Sequence, residues 1–196
     1  MTSIFVERED SMTTLHLAIL TTCVALATGS VHAGSCVPTN PDSAYAINGN
    51  GTVTDVRTDL MWKQCEEGQS GSNCSGTASS LDWFEALAAA QDATFAGFDD
   101  WRLPNVRELL TLVEYCNFNP AINGNYFPGT PLTSVWTGSP AIPPPGMPGN
   151  SSIIVSFANG ASNESFARTN VPDFSYYSVR LVRSLQPLLR NGFESD

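Results

Sequence analysis

The chain has 196 residues, of which 42% are hydrophobic and 14% charged, and its formal net charge is −10. This length suits one domain with a core of its own, and the hydrophobic fraction excludes a disordered chain. The acidic balance, without any basic tract, excludes nonspecific binding to nucleic acid or to an anionic membrane surface.

The first 33 residues predict a signal peptide. An apolar run from Leu15 to about Ala27 ends in Val31-His32-Ala33, a small-x-small cleavage pattern. The run is shorter than the ~20 residues that a membrane span needs, so we expect no membrane insertion after the leader is removed. The acidic residues upstream make Met12 the candidate translation start. A buried N-terminal helix and lipid attachment at Cys36 are the alternatives.

Cysteine usage predicts a secreted, periplasmic or cell-surface protein. Cleavage removes Cys23 and leaves four cysteines, an even number that favours two disulfides in an oxidising compartment. Three pairings are open at this point. We favour the short local loop Cys65–Cys74, which leaves Cys36–Cys116 to join the N-terminal lead, residues 34–49, to the core.

A β-hairpin and two helices follow the lead. The segment GTVTDVRTDLMWKQ predicts two strands joined by an RTD turn. The first helix begins with a D-x-x-E capping box at Asp82, and Gly97 is placed to end it. The second begins at Asn105-x-x-Glu108, directly after Pro104. The apolar faces consist of Trp83, Ala86, Leu87 and Ala90 on the first helix and of Val106, Leu109, Leu110 and Val113 on the second.

The rest of the chain predicts strands. LTSVWTG, SIIVSFA and YYSVRLVRS have strand composition, and Asn159-Gly160 is a hairpin turn after the second of them. The proline-rich residues 139–150 predict a loop that holds no ladder, and residues 185–196 a flexible tail. The fold class is therefore α+β, with a hairpin, two helices and an antiparallel sheet.

The order of these motifs resembles the Lcl C-terminal domain family over residues 50–184. GTVTDVRTDLMWKQC, LDWFEALAAA, GFDDWRLPNVRELLTLVE, NPAINGNYFP, VWTGS, IIVSFANG and VRLVRS carry the resemblance. It implies an exported bacterial domain of C-type lectin-like fold, with two helices packed on antiparallel sheet, long loops and stabilising disulfides. The family's best-known member binds sulfated glycans at the tip of a collagen-like adhesin, but Gly-X-Y repeats are missing here.

The segment DDWRLPN is interpreted as an element that orients the second helix. Asp99 and Asp100 would complement the positive end of that helix, Trp101 and Leu103 would enter the core, and Arg102 would pair with a carboxylate. The alternative is a calcium or ligand site. Calcium needs six to eight oxygen ligands, and the acidic residues here lack the spacing of a known calcium loop. No metal or cofactor is therefore predicted.

Catalysis is not predicted. Both histidines, His16 and His32, lie in the leader, so Ser-His-Asp and Cys-His arrangements are excluded in the mature chain. A carboxylate pair could hydrolyse glycosides, but no pair stands out by its spacing. The WRLPN element is also similar to one in formylglycine-generating enzymes, whose reactive, copper-binding cysteines have no counterpart if all four cysteines pair.

By analogy with lectin-like folds, the candidate ligand surface comprises the loop of residues 140–150 and its neighbours. Its residues are Asn150, Asn159, Asn163 and Arg168, with the aromatic Tyr126 and Tyr176. We expect Phe127 and Tyr177 to be partly exposed as well, whereas Trp62, Trp83, Trp101 and Trp136 are expected in the core. The alternative is a loop that only closes the connection.

A basic spot is a further expectation, formed by Arg168, Arg180 and Arg183. On so acidic a chain we expect this spot to give weak or no binding to sulfated glycans.

The functional prediction is a noncatalytic recognition or adhesion module that binds a glycan or a surface protein. The alternative is a structural or assembly module that contacts only protein chains, and a relative of formylglycine-generating enzymes is the third. The sequence does not fix the oligomeric state.

Overall fold

The computed structural model describes residues 35–142, 151–166 and 176–185. Within them the fold is α+β, as predicted, with two antiparallel sheets and two helices. The elements in chain order are β1 (Tyr45–Ile47), β2 (Thr52–Asp55), β3 (Leu60–Lys63), α1 (Trp83–Gln91), α2 (Val106–Leu110), β4 (Ser134–Ala141), β5 (Ser151–Ser156), β6 (Ser162–Phe166) and β7 (Val182–Ser184). The predicted leader and nearly all of the predicted tail lie outside the described residues.

The first sheet is built on the predicted hairpin, in the strand order β1-β2-β3-β7. β2 and β3 pair from Thr52↔Lys63 to Asp55↔Leu60. β1 was not predicted, because a strand of three residues after a 3₁₀ turn carries no clear alternation. β7 closes the sheet on β3, so the last predicted strand is confirmed only over its final residues.

The second sheet has the order β4-β5-β6 and contains the predicted Asn159-Gly160 turn between β5 and β6. The prediction that the proline-rich segment forms no β-ladder is wrong for the first residues of that segment. Pro140 and Ala141 belong to β4 and pair with β5 after a register shift that follows Trp136. A proline is tolerated there because β4 lies at the edge of this sheet and the ladder is already irregular.

Both helix starts are confirmed as capping boxes. The Asp82 side chain accepts from Glu85 N at 2.8 Å, and Glu85 Oε2 accepts from Asp82 N at 2.9 Å. Asn105 and Glu108 make the equivalent pair at 2.9 and 2.8 Å. These reciprocal bonds satisfy two orphan donors at each helix start, which is why the spacing alone located them.

The ends of both helices and one helix face differ from the prediction. α2 ends at Leu110, so Val113, predicted on its apolar face, lies beyond the helix although it is buried. α1 ends at Gln91, and Gly97 instead adopts a φ of 84° in a tight turn in which Phe95 and Phe98 exchange backbone hydrogen bonds. Leu87 is 37% exposed although Ala86 and Ala90 are buried. The small alanines form the packed stripe, and Leu87 lies at its edge.

The core consists of two clusters of buried side chains. The first contains Trp62 and Phe127, and the second contains Trp101 and Trp136. Trp83 is half-buried and packs against the second cluster, so the prediction that the tryptophans pack in the core is confirmed. The expected exposure of Phe127 is wrong: its ring is fully buried and lies edge-on to Tyr45 with centroids 5.4 Å apart.

The disulfides are Cys36–Cys116 and Cys65–Cys74, the pairing that the sequence favoured. Beside the first, the buried Glu114 carboxylate accepts backbone hydrogen bonds from Thr39 (3.1 Å), Asn40 (2.7 Å) and Cys116 (2.8 Å). Burial alone would raise the pKa of Glu114, but these hydrogen bonds outweigh it and hold that pKa below its usual range. The N-terminal lead is thereby attached to the core.

Candidate functional site

The DDWRLPN segment directly precedes α2, and its Arg102 forms a backbone bridge with Val182 of β7. Arg102 pairs bidentately with Glu108, with N–O distances of 2.7 and 2.8 Å. Trp101 and Leu103 are buried, as expected. The segment therefore fastens α2 to the core, and the predicted pairing of Arg102 with a carboxylate is confirmed.

Asp100 differs from the expectation that it complements the helix start. It accepts from Arg183 Nε at 2.6 Å and from Nη2 at 3.1 Å, so it is an ion-pair partner of β7. The hydrogen bond from Arg183 lowers the pKa of Asp100. The Arg183 guanidinium also lies 3.8 Å from the centroid of the Phe98 ring. Asp99 is exposed beside this pair.

The residues predicted to bind ligand are distributed over several parts of the chain. Asn150 and Arg168 lie outside the described residues. Asn159 is exposed in the β5–β6 turn, where its Oδ1 accepts from Ala161 N at 3.1 Å, and Asn163 is exposed on β6 opposite Ile154. The candidate surface around residues 140–150 stays a prediction.

The two predicted tyrosines differ in exposure. Tyr126 is half-buried, with its ring centroid 5.2 Å from that of Tyr45. Tyr176 is 48% exposed. A role of either ring in ligand contact remains a prediction.

Arg180 does not belong to a basic spot, which corrects the prediction. Its side chain is fully buried beneath the start of the Cys65–Cys74 loop. It donates to the carbonyl oxygens of Lys63 and Gln64, to Thr130 Oγ1 at 2.9 Å and to Glu66 Oε1 at 3.3 Å. A sequence cannot distinguish this arginine from a surface one, because its four partners come from distant stretches of chain.

Both side chains of the Arg180–Glu66 ion pair are fully buried. Burial raises the pKa of Glu66, and the attraction of Arg180 opposes that rise. Burial likewise lowers the pKa of Arg180, although a guanidinium stays charged in proteins. The pair therefore fixes residues 63–66 rigidly at the end of β3, at the cost of removing two charges from water.

A groove lies directly over this fixed segment. It encloses about 500 Å³ between the β1–β2 turn, the end of β3, the disulfide loop and two residues from elsewhere. We call it the groove; it is lined by Ile47, Gly49, Gly51, Lys63, Gln64, Cys65, Gln69, Ser70, Gly71, Ser72, Phe95 and Asn125. Sequence reasoning missed it because no single stretch of the chain contains it.

The walls of the groove are held by specific contacts. Gly51 adopts a φ of 80°, a conformation that favours glycine, and a Cβ at this position would lie 2.8 Å from the tip of the Phe95 ring, so a larger residue would require that ring to shift. Gln69 is fixed on both sides of its amide, since it accepts from Glu66 N at 3.2 Å and donates to Gly129 O at 2.8 Å. With the Cys65–Cys74 disulfide, these contacts make the groove a preformed site.

The groove is lined by a lysine side chain, an aromatic ring and two side-chain amides. Lys63 Nζ lies 2.5 Å from Glu67 Oε1 and 4.5 Å from the centroid of the Phe95 ring. The amide nitrogen of Gln64 donates to Tyr126 O at 3.2 Å, and that of Asn125 donates to an Asp42 oxygen at 3.2 Å. Such a mixture of an apolar ring with a few fixed polar groups is typical of small-ligand sites.

Within residues 35–142, 151–166 and 176–185, no three His, Cys, Asp or Glu side chains are grouped as metal ligands. In the same part of the chain, neither helix has the length and apolar character needed to span a bilayer.

The family model of the Lcl C-terminal domain matches residues 51–183. That span contains β2 through β6, both helices and the groove residues from Gly51 to Asn125. No curated protein and no solved structure shows significant similarity to the chain.

Proposed function

We propose that this chain, which belongs to the Lcl C-terminal domain family, is an exported and noncatalytic recognition module. It acts at the cell surface or in the periplasm, where it binds a glycan or a protein. The family, which suggests an extracellular domain, and the two disulfides support this location. The resemblance to the C-type lectin-like fold belongs to the same proposal, supported by the two helices and two antiparallel sheets.

The groove is the observation that carries the proposal. Its volume of about 500 Å³ suits a small ligand or the end of a larger one. Its walls are fixed by a disulfide, a buried ion pair and the two hydrogen bonds of the Gln69 amide, so little ordering is needed when a ligand binds. Rigid walls around an accessible ring and amides are what recognition requires, and they need no catalytic group.

A blocked groove tests the proposal. The full chain, recovered from an exporting host, would be screened on arrays of glycans and of surface proteins. Ser72 is exposed on the groove wall, so Ser72→Trp should fill the groove without entering the core and should abolish binding. Ser162→Trp, at an exposed position of β6 in the other sheet, is the matched control and should bind normally. Equal binding by both variants would refute the groove as the recognition site.

A second candidate function is an assembly module that contacts only protein chains. Two aromatic side chains beside the Cys36–Cys116 disulfide favour it, since Tyr115 is 64% and Phe118 is 72% exposed. Exposed aromatic residues are enriched at protein interfaces. Light scattering after size exclusion distinguishes the two functions: self-association lost in Phe118→Ser would support assembly, and a monomer would count against assembly by self-association.

A further inference from the structure

We infer that the groove binds an uncharged, hydroxyl-rich saccharide rather than a sulfated one. This inference rests on the proposed function and names the ligand class of its site. Three features of the groove carry it: the neutralised charge of Lys63, the unused acceptor oxygens of two amides, and the ring of Phe95.

Charge argues against an anionic ligand. Lys63 is the one charged residue among those described that line the groove, and Glu67 Oε1 lies 2.5 Å from its Nζ. The two side chains are largely shielded from water, at 14% and 24% exposure, so the pair is poorly screened. A sulfate would meet a neutralised cation on a chain whose formal net charge is −10.

The groove offers free acceptor oxygens that a sulfate group cannot use. One N–H of Gln64 donates to Tyr126 O, and the NH₂ group of Asn125 donates to the Asp42 carboxylate. No described residue donates to Gln64 Oε1 or Asn125 Oδ1, and Ser70 and Ser72, whose hydroxyls can donate or accept, also line the groove. Sugar hydroxyls donate to such oxygens, but a sulfate group can only accept. The hydrogen-bonding pattern therefore favours hydroxyls over sulfates.

Phe95 supplies the apolar surface for a sugar ring. It lines the groove while half-buried, and its edge-on contact with Trp101, at a centroid distance of 6.1 Å, fixes its orientation. The electron-rich face of an aromatic ring attracts the polarised C–H groups of a sugar. The exposed Ile47 adds apolar surface at the rim.

A peptide is less favoured as the occupant. Peptide strands usually bind by pairing with the free edge of a sheet. The edge strand β1 contributes only Ile47 to the groove, and most other lining residues belong to turns or to the disulfide loop. The backbone ladder that a bound peptide strand needs is therefore absent from the described part of this site.

The test compares uncharged hexasaccharides of glucose, mannose, galactose and N-acetylglucosamine with their sulfated counterparts. Binding to the full chain would be measured by isothermal titration. We expect at least one uncharged probe to bind in preference to its sulfated counterpart. Phe95→Leu should weaken that binding about tenfold, because the aromatic face is lost. Ser72→Trp should abolish that binding. Because Ser72 is exposed and lies outside the core, this second variant tests the groove even if Phe95→Leu fails to fold.

Glu67→Gln gives the converse test. It frees the charge of Lys63, so binding of the sulfated probes should rise about fivefold. Asp59→Asn is the control, because it removes one charge at the opposite end of the β2–β3 hairpin and should change nothing.

The outcomes separate the inference from the proposed function. Uncharged binding that is sensitive to Phe95 and Ser72 supports both. Preferred binding of sulfated probes, or binding only of peptides, in the wild-type groove overturns the inference and leaves the recognition function standing. Absence of binding to every saccharide, peptide and surface protein overturns both.

Discussion

Replacing Arg180 by methionine should destabilise the fold by about 3–5 kcal/mol, the usual cost of removing one partner of a buried ion pair. Both side chains of the Arg180–Glu66 pair are fully buried, so solvent does not reduce this figure. The substitution also removes the donors to the carbonyl oxygens of Lys63 and Gln64 and to Thr130. Methionine keeps most of the packing over Phe127, which restricts the effect to charge and hydrogen bonds.

The pH dependence of this loss follows from Glu66. Burial already raises the pKa of Glu66, and removing Arg180 takes away the attraction that opposes the rise. A carboxyl whose folded-state pKa lies above its unfolded value destabilises the fold as the pH rises through that folded pKa. The defect of Arg180→Met should therefore be largest at neutral pH and smaller in mild acid. Adding Glu66→Gln should restore about half of the lost stability, since no buried charge then remains.

Urea unfolding of the full chain with its disulfides intact, followed by the fluorescence of the buried tryptophans, measures these effects. With a slope of about 2 kcal/mol per molar urea, a loss of about 4 kcal/mol moves the midpoint by about 2 M. A shift below about 0.5 M, or a double variant as unstable as the single one, would refute the assigned role of the pair.

Three further predictions use the same assay. The pKa of Glu114 is lower in the folded state than in the unfolded state. Its contribution to the free energy of unfolding is therefore present above the unfolded-state pKa and is lost as the pH falls through the folded-state pKa. Glu114→Gln should flatten the decline of the urea midpoint from about pH 6 to about pH 3. Gly160→Ala should cost about 1–3 kcal/mol more than Gly49→Ala, because both glycines have positive φ but only at Gly160 would a Cβ meet another side chain, at 2.5 Å; equal costs would contradict the described contact. Loss of Cys36–Cys116, which spans 80 residues, should cost about 4.5 kcal/mol, and loss of Cys65–Cys74, which spans 9, about 2.5 kcal/mol from chain entropy alone; the reverse order would contradict that model.

Local chemistry made part of the fold predictable from the sequence. The capping boxes at Asp82 and Asn105 depend on residues three positions apart, so their spacing is visible in the chain. The β2–β3 hairpin and the Asn159-Gly160 turn are local in the same sense. The sequence leaves three disulfide pairings open, and the short Cys65–Cys74 loop favours the one that the structure contains. The capping boxes, the hairpin, the turn and the Cys65–Cys74 loop depend on residues close in sequence, whereas Cys36–Cys116, which spans 80 residues, is the pair that remains.

The errors concern residues whose environment is set by distant parts of the chain. The burial of Arg180 depends on hydrogen-bond partners that lie between 50 and 117 residues away in sequence. Phe127, from a turn-rich segment, is covered by Tyr45 and Arg180. The sequence predicts Gly97 at a helix end, whereas its positive φ serves a tight turn between Phe95 and Phe98. Local patterns do not contain this information.

The groove could not be predicted from the sequence for the same reason. Its walls combine residues from the β1–β2 turn, the disulfide loop, Phe95 and Asn125, and none of these stretches is distinctive alone. The predicted ligand surface instead followed an analogy to the late loops of lectin-like folds. Only the assembled structure brings a ring, amides and a neutralised lysine into one place.

Amide chemical shifts of the isotope-labelled full chain, titrated with a hit from the glycan and protein arrays, test the central claim most directly. We predict that the largest changes occur at Gly49, Gly51, residues 70–72 and Phe95, all of which line the groove. Changes confined to Asn159, Asn163 and the loop of residues 140–150, with the amides of the groove unmoved, would contradict it.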